Sequence, residues 1–476
     1  MQATNPNAAR WAGRQVKTAR FGDARRVNRV RLMLMRAAER PGGKLSEVIT
    51  DDAELQGAYD LLEEERVSAE GLCASFADAS FERAAAEPWI YAVVDGSSVH
   101  VTDLTGKKGL GTLGNLTHGG RGMKVITALG VDPRGVTVGL LGQVWWARTN
   151  ARKANRNKRK TNAARPLADK ETRHWVAAFE QARARADAHG RRLWFQIDRE
   201  GDNRDLLLAL HASGHDFTVR AAWDRLTEAT GEDQQRLRQR VGQEAPSGVY
   251  DVDVAGAPSR APRIAKMVVR TARVTLAMAP RGRSKKEQAN LTLNVVWARE
   301  EGTTPPNEKP LDWLLLTSRP VDTFADAMAV VYGYTQRWRI EDFHRVWKSS
   351  SCRVEETQLR SPAAITVWAT ILASVAGRIE RLRLLARKAP DLPASVDLAD
   401  HEIRALILLK RQRRARGERV ADTMPTIAVA TLWIAELGGF TGKSSGGPPG
   451  AITIRRGLEV LGPAAQMLAI MENPAG

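Results

Sequence analysis

The chain has 476 residues, with 72 Lys and Arg against 54 Asp and Glu, a net charge of +18 and a sequence pI of about 10.3. This charge is typical of a protein that binds a polyanion, most often nucleic acid. Its two cysteines, Cys73 and Cys352, lack a Cys-x-x-Cys motif, which argues against a disulfide framework or a structural zinc site. We find no apolar run long enough to span a bilayer and no apolar signal core, so a cytoplasmic protein without a membrane partner is expected.

The first 40 residues predict a small basic helical module. Asp23 is a plausible N-cap, and Pro41 ends the apolar pattern that follows. Arg25 and Arg26 at the start of this helix are candidates for contacts with DNA phosphates, although a solvated basic face is the alternative. The segment 51–70 is acidic and is a poor candidate for touching a phosphate backbone.

Two acids follow apolar, β-rich runs. Residues 89–94 stop at Asp95, and residues 192–197 stop at Asp198. An acid just past a buried strand lies at a sheet edge, where ligands commonly bind in α/β folds, whereas a single one is usually a turn or a helix cap. The intervening pattern predicts strands at 124–131 and 136–146, a basic run at 148–165 that is either a solvated loop or a DNA contact, and a helix at 171–189.

Alternating apolar and polar residues from about 216 to 308 predict antiparallel strands of an inserted sheet, with a basic hairpin tip at 281–286. The predicted strands are 217–222, 249–254, 263–278, 291–299 and then a core strand at 313–317. Helical patterns fill the remainder from about residue 383. Apolar helices at 426–437 and 463–471 pack either on a partner helix or on the chain's own core.

Residues 334–348 have helical spacing and no Gly or Pro. At about 100° per residue, an arc of about 60° contains four side chains: Tyr334, Arg337, Glu341 and Lys348. The opposite side is predicted to face a core through Ile340, Phe343, Val346 and Trp347. This polar stripe suits a phosphate backbone beside a metal ion, and the alternative is a solvated face with an Arg337–Glu341 pair.

The three acids together suit phosphodiester cleavage. Two divalent ions about 3.5–4 Å apart can activate the attacking oxygen and stabilise the leaving one. Carboxylate oxygens are the ligands that Mg²⁺ prefers, and Mn²⁺ is expected to substitute. Asp95 is predicted to bridge both ions, with Asp198 on one and Glu341 on the other. Arg337 and Lys348 would hold neighbouring phosphates, and Tyr334 could hydrogen-bond one.

The pattern Tyr-x-x-Arg-x-x-x-Glu-x-x-x-x-x-x-Lys, preceded by two strand-end aspartates, resembles the bacterial DDE transposases of the transposon-five type, in the insertion-sequence-four family. The resemblance runs along nearly the whole chain. It is carried further by segments 21–26, 56–59, 67–70, 143–146, 198–200, 313–318, 337–344 and 437–440.

The resemblance implies an α/β fold with a ribonuclease H-like catalytic core (71–382) that a β-rich insertion interrupts at about 223–308. It also implies a helical N-terminal domain (1–70) that binds transposon ends and a C-terminal helical dimerisation domain (383–476). The implied reaction is cut-and-paste transposition through a hairpin, with two protomers acting in trans on double-stranded transposon ends and target DNA.

The resemblance further implies that Trp313 stacks on a flipped base and that Arg220 contacts DNA. Taken from the residues alone, Trp313 is a core side chain and Arg220 a surface strand residue. Two departures stand out: Gly96-Ser97 replaces the family's more frequent Thr-Thr, and acids replace basic residues after Tyr59. The favoured function is a Mg²⁺-dependent DNA transposase. A non-catalytic DNA-binding regulator is the alternative, and a nuclease without strand transfer is a third.

Overall fold

The structure, a computed structural model, describes residues 6–103, 105–113, 120–148, 167–227, 235–256, 260–278, 289–302, 304–306, 308–414, 419–420, 422–442 and 447–472. The predicted basic run at 148–165, apart from Arg148, and the predicted hairpin tip at 281–286 lie outside these residues. The chain divides into two compact units. We call them the sheet unit (Trp89–Asp95 and Arg152–Trp338) and the helical unit (Met1–Pro88, Gly96–Ala151 and Arg339–Gly476).

The described helices are α1 (Pro6–Gln15), α2 (Ala24–Glu39), α3 (Leu45–Val48), α4 (Asp52–Leu62), α5 (Ala69–Arg83), α6 (Thr172–Ala188), α7 (Arg204–Ala212), α8 (Leu237–Gly242), α9 (Phe324–Thr335), α10 (Arg339–Arg345), α11 (Pro362–Lys388), α12 (Asp400–Gln412), α13 (Ile427–Leu437) and α14 (Ala451–Glu472). The described strands are β1 (Ile90–His100), β2 (Gly111–Thr112), β3 (Arg121–Val131), β4 (Thr137–Trp146), β5 (Leu193–Ile197), β6 (Asp216–Arg220), β7 (Gly248–Val254), β8 (Arg263–Met278), β9 (Ala289–Glu300) and β10 (Asp312–Thr317).

The sheet unit is built on a mixed sheet in the order β1-β5-β6-β10-β9-β8-β7. The first two pairings are parallel and the others are antiparallel. β5 is buried along its whole length, as its uninterrupted apolar sequence predicts for a central parallel strand. β7 alternates between exposed and half-buried residues instead, as predicted for the inserted antiparallel strands. The predicted strands from 192 to 317 are therefore present. The prediction that 217–222 is an antiparallel strand of the inserted sheet is wrong, because β6 pairs in parallel with β5 and lies between β5 and β10.

The helical unit contains the antiparallel strands β2, β3 and β4, helices α1 to α5 and helices α10 to α14. Its central element is α11, 27 residues long, which begins at the N-cap Ser361. The indole of Trp368 on this helix donates to the Gly43 carbonyl at 2.8 Å. α11 is long and apolar enough to span a bilayer, contrary to our expectation, but 83% of its apolar window is buried inside the protein. That burial is typical of a core helix.

The predicted helix 334–348 exists, but its winding changes three times. α9 is followed by a 3₁₀ turn (Gln336–Trp338), then by α10, then by a π turn (Val346–Ser350). A stripe calculated at 100° per residue therefore does not hold along it. The predicted core side is nevertheless correct, because Ile340, Phe343, Val346 and Trp347 are all buried.

The C-terminal helices differ from prediction in their limits. Helix 426–437 is confirmed as α13 with Thr426 as its N-cap. The predicted helix 463–471 is the second half of α14, which contains Pro463 in its interior. The predicted domain boundary at 382/383 falls inside α11, since that helix continues to Lys388. The three-domain division stays a prediction.

Candidate active site

Asp95 and Asp198 lie at the end of one parallel ladder in the sheet unit. β1 and β5 pair from Ile90↔Leu193 to Val94↔Ile197. Asp95 and Asp198 are the next residue on each strand, and neighbouring strands are about 4.8 Å apart. The fold therefore brings together two acids that are separated in the sequence by more than a hundred residues.

Asp95 does not end its strand as expected, because β1 continues to His100. Gly96-Ser97-Ser98, which follow the predicted end of the strand, are extended, and Val99 beyond them is completely buried. Asp95 therefore projects from within a strand, where the backbone on both sides of it is regular.

Arg337 contacts Asp95 directly. Its Nη1 lies 3.4 Å from Asp95 Oδ2, and the two side chains are only 11% and 15% exposed. Arg337 was predicted to lie on an exposed polar stripe, but it is buried in the 3₁₀ turn. The guanidinium therefore places a permanent positive charge beside the first acid, since arginine does not deprotonate in proteins.

Asp198 caps the 3₁₀ turn Arg199–Gly201. Its Oδ1 accepts a hydrogen bond from the Glu200 amide at 2.8 Å. This is the capping role considered for an isolated acid, and it leaves Oδ2 without a hydrogen-bond partner among the described residues. The cap fixes the carboxylate orientation, and the second oxygen remains available to a ligand.

Trp313, Tyr334 and Trp338 form an aromatic cluster in the sheet unit. The ring centroids of Trp313 lie 6.1 Å from Tyr334 and 6.0 Å from Trp338, both edge-to-face. Trp313 is 7% exposed and Tyr334 is 3% exposed, whereas Trp338 is 49% exposed. Trp313 is thus a core side chain in this conformation, as the residue pattern alone predicts, and Tyr334 is not on an exposed stripe.

Arg220 joins this cluster to the strand beside it. Its Nη2 donates to the Asp312 carbonyl at 2.7 Å. Burial raises the pKa of Tyr334, and the charge of Asp198 adds to this, while Arg220 and Arg337 oppose it. The phenol therefore stays protonated at neutral pH and can donate a hydrogen bond.

A cavity of about 1250 Å³ opens over Trp313 in the sheet unit. Its basic lining residues are Arg199, Arg220, Arg238, Arg260, Arg299 and Lys309, against two acids, Asp253 and Asp312. Its aromatic lining residues are Tyr250, Trp297, Trp313, Tyr332 and Trp338. Cations combined with ring faces are typical of surfaces that bind nucleic-acid strands.

Glu341 and Lys348 belong to the helical unit. Glu341 is exposed on α10, and Lys348 lies in the π turn with its Nζ 3.3 Å from Glu355 Oε1. π turns inside α-helices occur frequently at functional sites. The convergence of Glu341 with Asp95 and Asp198 stays a prediction.

The donor chemistry can be compared with what a divalent cation requires. Within the described ranges, no group of three or more His, Cys, Asp or Glu side chains is arranged to hold a metal ion. The neighbouring pair of Asp95 and Asp198 nevertheless supplies hard oxygens, one of them without a hydrogen-bond partner in the described part of the chain. These oxygens fit Mg²⁺ or Mn²⁺, both of which complete their shells with water and phosphate oxygens.

The predicted basic module at the N-terminus is helical, and Asp23 is the N-cap of α2 as predicted. Arg25 is 92% exposed and folds back on Asp23, while Arg26 Nη2 lies 2.8 Å from Glu64 Oε2. Glu64 belongs to the acidic segment that departs from the family pattern. That segment therefore neutralises a predicted DNA contact from within the chain.

Sequence reasoning missed most of the cavity wall. Trp297 and Arg299 lie two residues apart on β9, and Trp338 lies between Arg337 and α10. The signal was present in the alternation of β9, which places residues two apart on one face of the sheet. It was not decisive, because the same alternation fits any half-buried strand.

Two family models match the chain. Residues 8–67 match the transposase DNA-binding family, and residues 150–376 match the transposase DDE domain family. The second match includes Asp198, Arg337 and Glu341, whereas Asp95 precedes it.

Proposed function

Because the chain contains a transposase DNA-binding domain followed by a transposase DDE domain, and is therefore a DDE transposase, we propose that it is a cut-and-paste enzyme of the transposon-five type. A DDE transposase cleaves DNA and depends on a divalent metal ion. Beyond membership of this family, we propose which three acids are catalytic, that cleavage passes through a hairpin, and that two protomers act together.

The observation that supports the catalytic assignment most strongly is the shared register of Asp95 and Asp198. Asp95 and Asp198 each follow a residue of the last pair, Val94 and Ile197, on neighbouring parallel strands. Two negative carboxylates at such neighbouring positions repel each other. A cation offsets that repulsion. Arg337 does so for Asp95 in this conformation.

The proposed roles follow from these positions. Asp95, Asp198 and Glu341 would hold Mg²⁺, which when bound activates the attacking oxygen and stabilises the leaving one. Asp198 is oriented by its capping bond to the Glu200 amide. Arg337 positions Asp95 and presents positive charge toward a phosphate, and Tyr334 and Lys348 contact phosphates of the DNA end.

The proposed reaction has four steps on each transposon end. Water attacks a phosphodiester and releases a 3′-OH. That hydroxyl attacks the opposite strand and forms a hairpin, and a second water reopens the hairpin. The 3′-OH then attacks a target phosphodiester, so that each bond broken is matched by one formed. Two protomers hold two ends, and each cleaves the end that its partner binds through the N-terminal domain. Arg25 contacts phosphates there, and Arg26 does so when a phosphate replaces Glu64 as its partner. Transposition takes place in the cytoplasm, on DNA of the nucleoid.

The test uses purified full-length protein, Mg²⁺, and duplex DNA that carries the ends of the element encoding it. Wild type is compared with Asp95→Asn and Asp198→Asn, and Glu200→Gln serves as the matched control. Glu200 is an exposed acid two residues from Asp198, and its capping amide is retained in the variant. Products are separated on denaturing gels that distinguish nicked, hairpin and joined strands.

We expect hairpin-ended and joined DNA from wild type and from Glu200→Gln, and intact DNA from both aspartate variants. All four proteins should bind the ends in a mobility-shift assay. Equal cleavage by wild type and Asp95→Asn would refute the catalytic assignment. If all four proteins bind and wild type also leaves the DNA intact, the non-catalytic regulator is favoured. Nicking by wild type without joining would favour the nuclease.

A further inference from the structure

A second cavity, of about 120 Å³, is lined entirely by residues of the helical unit. α1, α5, β4 and α11 contribute to its wall, together with residues 395–399. Its most unusual feature is five guanidinium groups, those of Arg10, Arg14, Arg83, Arg378 and Arg381. We call it the arginine cavity.

Two acids neutralise two of these five cations. Arg381 Nε lies 2.8 Å from Asp397 Oδ1, and Arg378 Nη2 lies 3.4 Å from Glu402 Oε1. Five cations minus two acids leaves three positive charges. Arg10, Arg14 and Arg83 form no ion pair with any residue that the structure describes.

Arg83 is the inner member of the cluster. Its Nη1 donates to the Val138 carbonyl, which is uncharged. Gly139 beside it has φ +141°, and a Cβ there would approach Arg83 Nη1 to 3.3 Å. Burial lowers the pKa of Arg83 to about 10, and Arg381, Arg14 and Arg378 add to the effect. The group is therefore still charged at neutral pH.

The outer members are held on rigid elements. Arg10 and Arg14 are exposed and lie one turn apart on α1, so they share a face of the helix. Between them, the ring of Trp11 packs under the Arg378 guanidinium at 5.4 Å from its centroid. α1 thus places Arg10 and Arg14 at the mouth of the cavity, and Trp11 packs against the guanidinium of Arg378.

We propose that the arginine cavity binds a phosphate group. Guanidinium forks match the oxygens of phosphate and form charge-assisted hydrogen bonds with them. A volume of about 120 Å³ accommodates one phosphate group with its waters but not a whole nucleotide. The group is either inorganic phosphate or a single backbone phosphate of DNA. None of the three proposed catalytic acids is among the residues that line the cavity.

The test is isothermal titration of the full-length protein with inorganic phosphate at constant ionic strength. The variants are Arg14→Gln at the mouth and Arg83→Met at the base. Arg14→Gln alters an exposed side chain without a described ion pair, so it keeps the proposal testable if Arg83→Met does not fold. Arg404→Gln is the control, since Arg404 is a 56% exposed arginine of the same unit outside the cavity.

We expect Arg14→Gln to raise the phosphate Kd by about tenfold, the value of one charge-assisted hydrogen bond, and Arg404→Gln to leave it unchanged. Equal affinities in wild type and Arg14→Gln, or no phosphate binding by wild type, would overturn the proposal. Repeating the titration with saturating duplex DNA identifies the source. Loss of phosphate binding assigns the cavity to a backbone phosphate, and retained binding assigns it to free phosphate.

Discussion

Replacing Asp202 by alanine should destabilise the sheet unit strongly. Asp202 follows the 3₁₀ turn that Asp198 caps, and its Oδ2 accepts from the Ala222 amide at 2.6 Å and the Trp223 amide at 3.2 Å. It also accepts from Arg225 Nη1 at 2.8 Å. The Asp202 side chain is fully buried and that of Arg225 is 12% exposed. This carboxylate therefore ties the start of the 223–308 segment to the turn after β5.

The expected cost follows from what the substitution leaves behind. At an effective dielectric constant near 20, charges about 3 Å apart attract by roughly 5 kcal/mol before desolvation is subtracted. Removing one partner of a buried pair costs about 3–5 kcal/mol, because the other charge stays buried and two amides lose their acceptor. We therefore expect Asp202→Ala to lower the free energy of unfolding by about 3–5 kcal/mol.

Urea denaturation followed by tryptophan fluorescence measures this loss as a shift in midpoint. The matched control is Glu301→Ala, which removes a 42% exposed acid 2.6 Å from Arg270 in the same unit and should cost less than about 1 kcal/mol. The double variant Asp202→Ala/Arg225→Met should be less destabilised than the sum of the single changes. A loss below about 1 kcal/mol for Asp202→Ala would refute the reasoning, since an exposed pair costs that much.

Two further predictions concern DNA binding and pH. Arg337→Gln and Lys348→Gln should each weaken binding to transposon ends, and each should reduce the slope of log affinity against log salt concentration by about one, as loss of a phosphate contact does. Mobility-shift titrations between roughly 50 and 200 mM salt measure this slope. An unchanged slope would show that neither side chain contacts the DNA backbone. Burial lowers the pKa of His344 to about 3. The unfolded chain, with a His pKa of about 6.5, then binds more protons, so stability should fall as pH drops from about 6.5 toward 3, by up to about 1.4 kcal/mol per pH unit. His344→Gln should flatten this dependence in urea midpoints measured at several pH values, and an equal slope in both proteins would contradict it.

The elements that the sequence predicted best are those whose pattern is set locally. β5 is a continuous apolar run, so its burial on both faces follows from its composition. α2 has an N-cap at Asp23 and a Pro-Gly-Gly sequence after its last turn, so its limits follow from capping chemistry. For such segments the backbone preference and the tertiary environment agree.

The predictions that were wrong concern segments where the tertiary structure overrides a local sequence preference. Gly96-Ser97-Ser98 has the composition of a turn, yet it continues β1 because the strand extends to the buried Val99. The helical wheel of residues 334–348 assumes one winding, whereas the segment contains a 3₁₀ turn and a π turn. Tyr334 and Arg337, which were assigned to the polar stripe, are buried. The sequence of α11 shows that the segment is apolar, but it does not show that other parts of the protein cover it.

The candidate site could be predicted in its residue types but not in its pairings. The two aspartates were found because each follows an apolar run, and parallel pairing then sets them side by side. The contact of Arg337 with Asp95 had no local signal, since the residues are 242 positions apart. The same is true of the arginine cavity, whose five cations come from three separate helices.

The edge-to-face packing of Trp313 against Tyr334 and Trp338 sets a condition on any planar guest. A nucleobase that stacks on Trp313 must displace an aromatic side chain that already packs there. Trp338 is the side chain expected to be displaced, because it is half exposed whereas Tyr334 is buried. The net stacking free energy is then the difference between the base–Trp313 contact that forms and the Trp338–Trp313 contact that is lost. Large bases should therefore be favoured over small ones at this position, and the exchange should be visible as a change in the fluorescence of the two indoles.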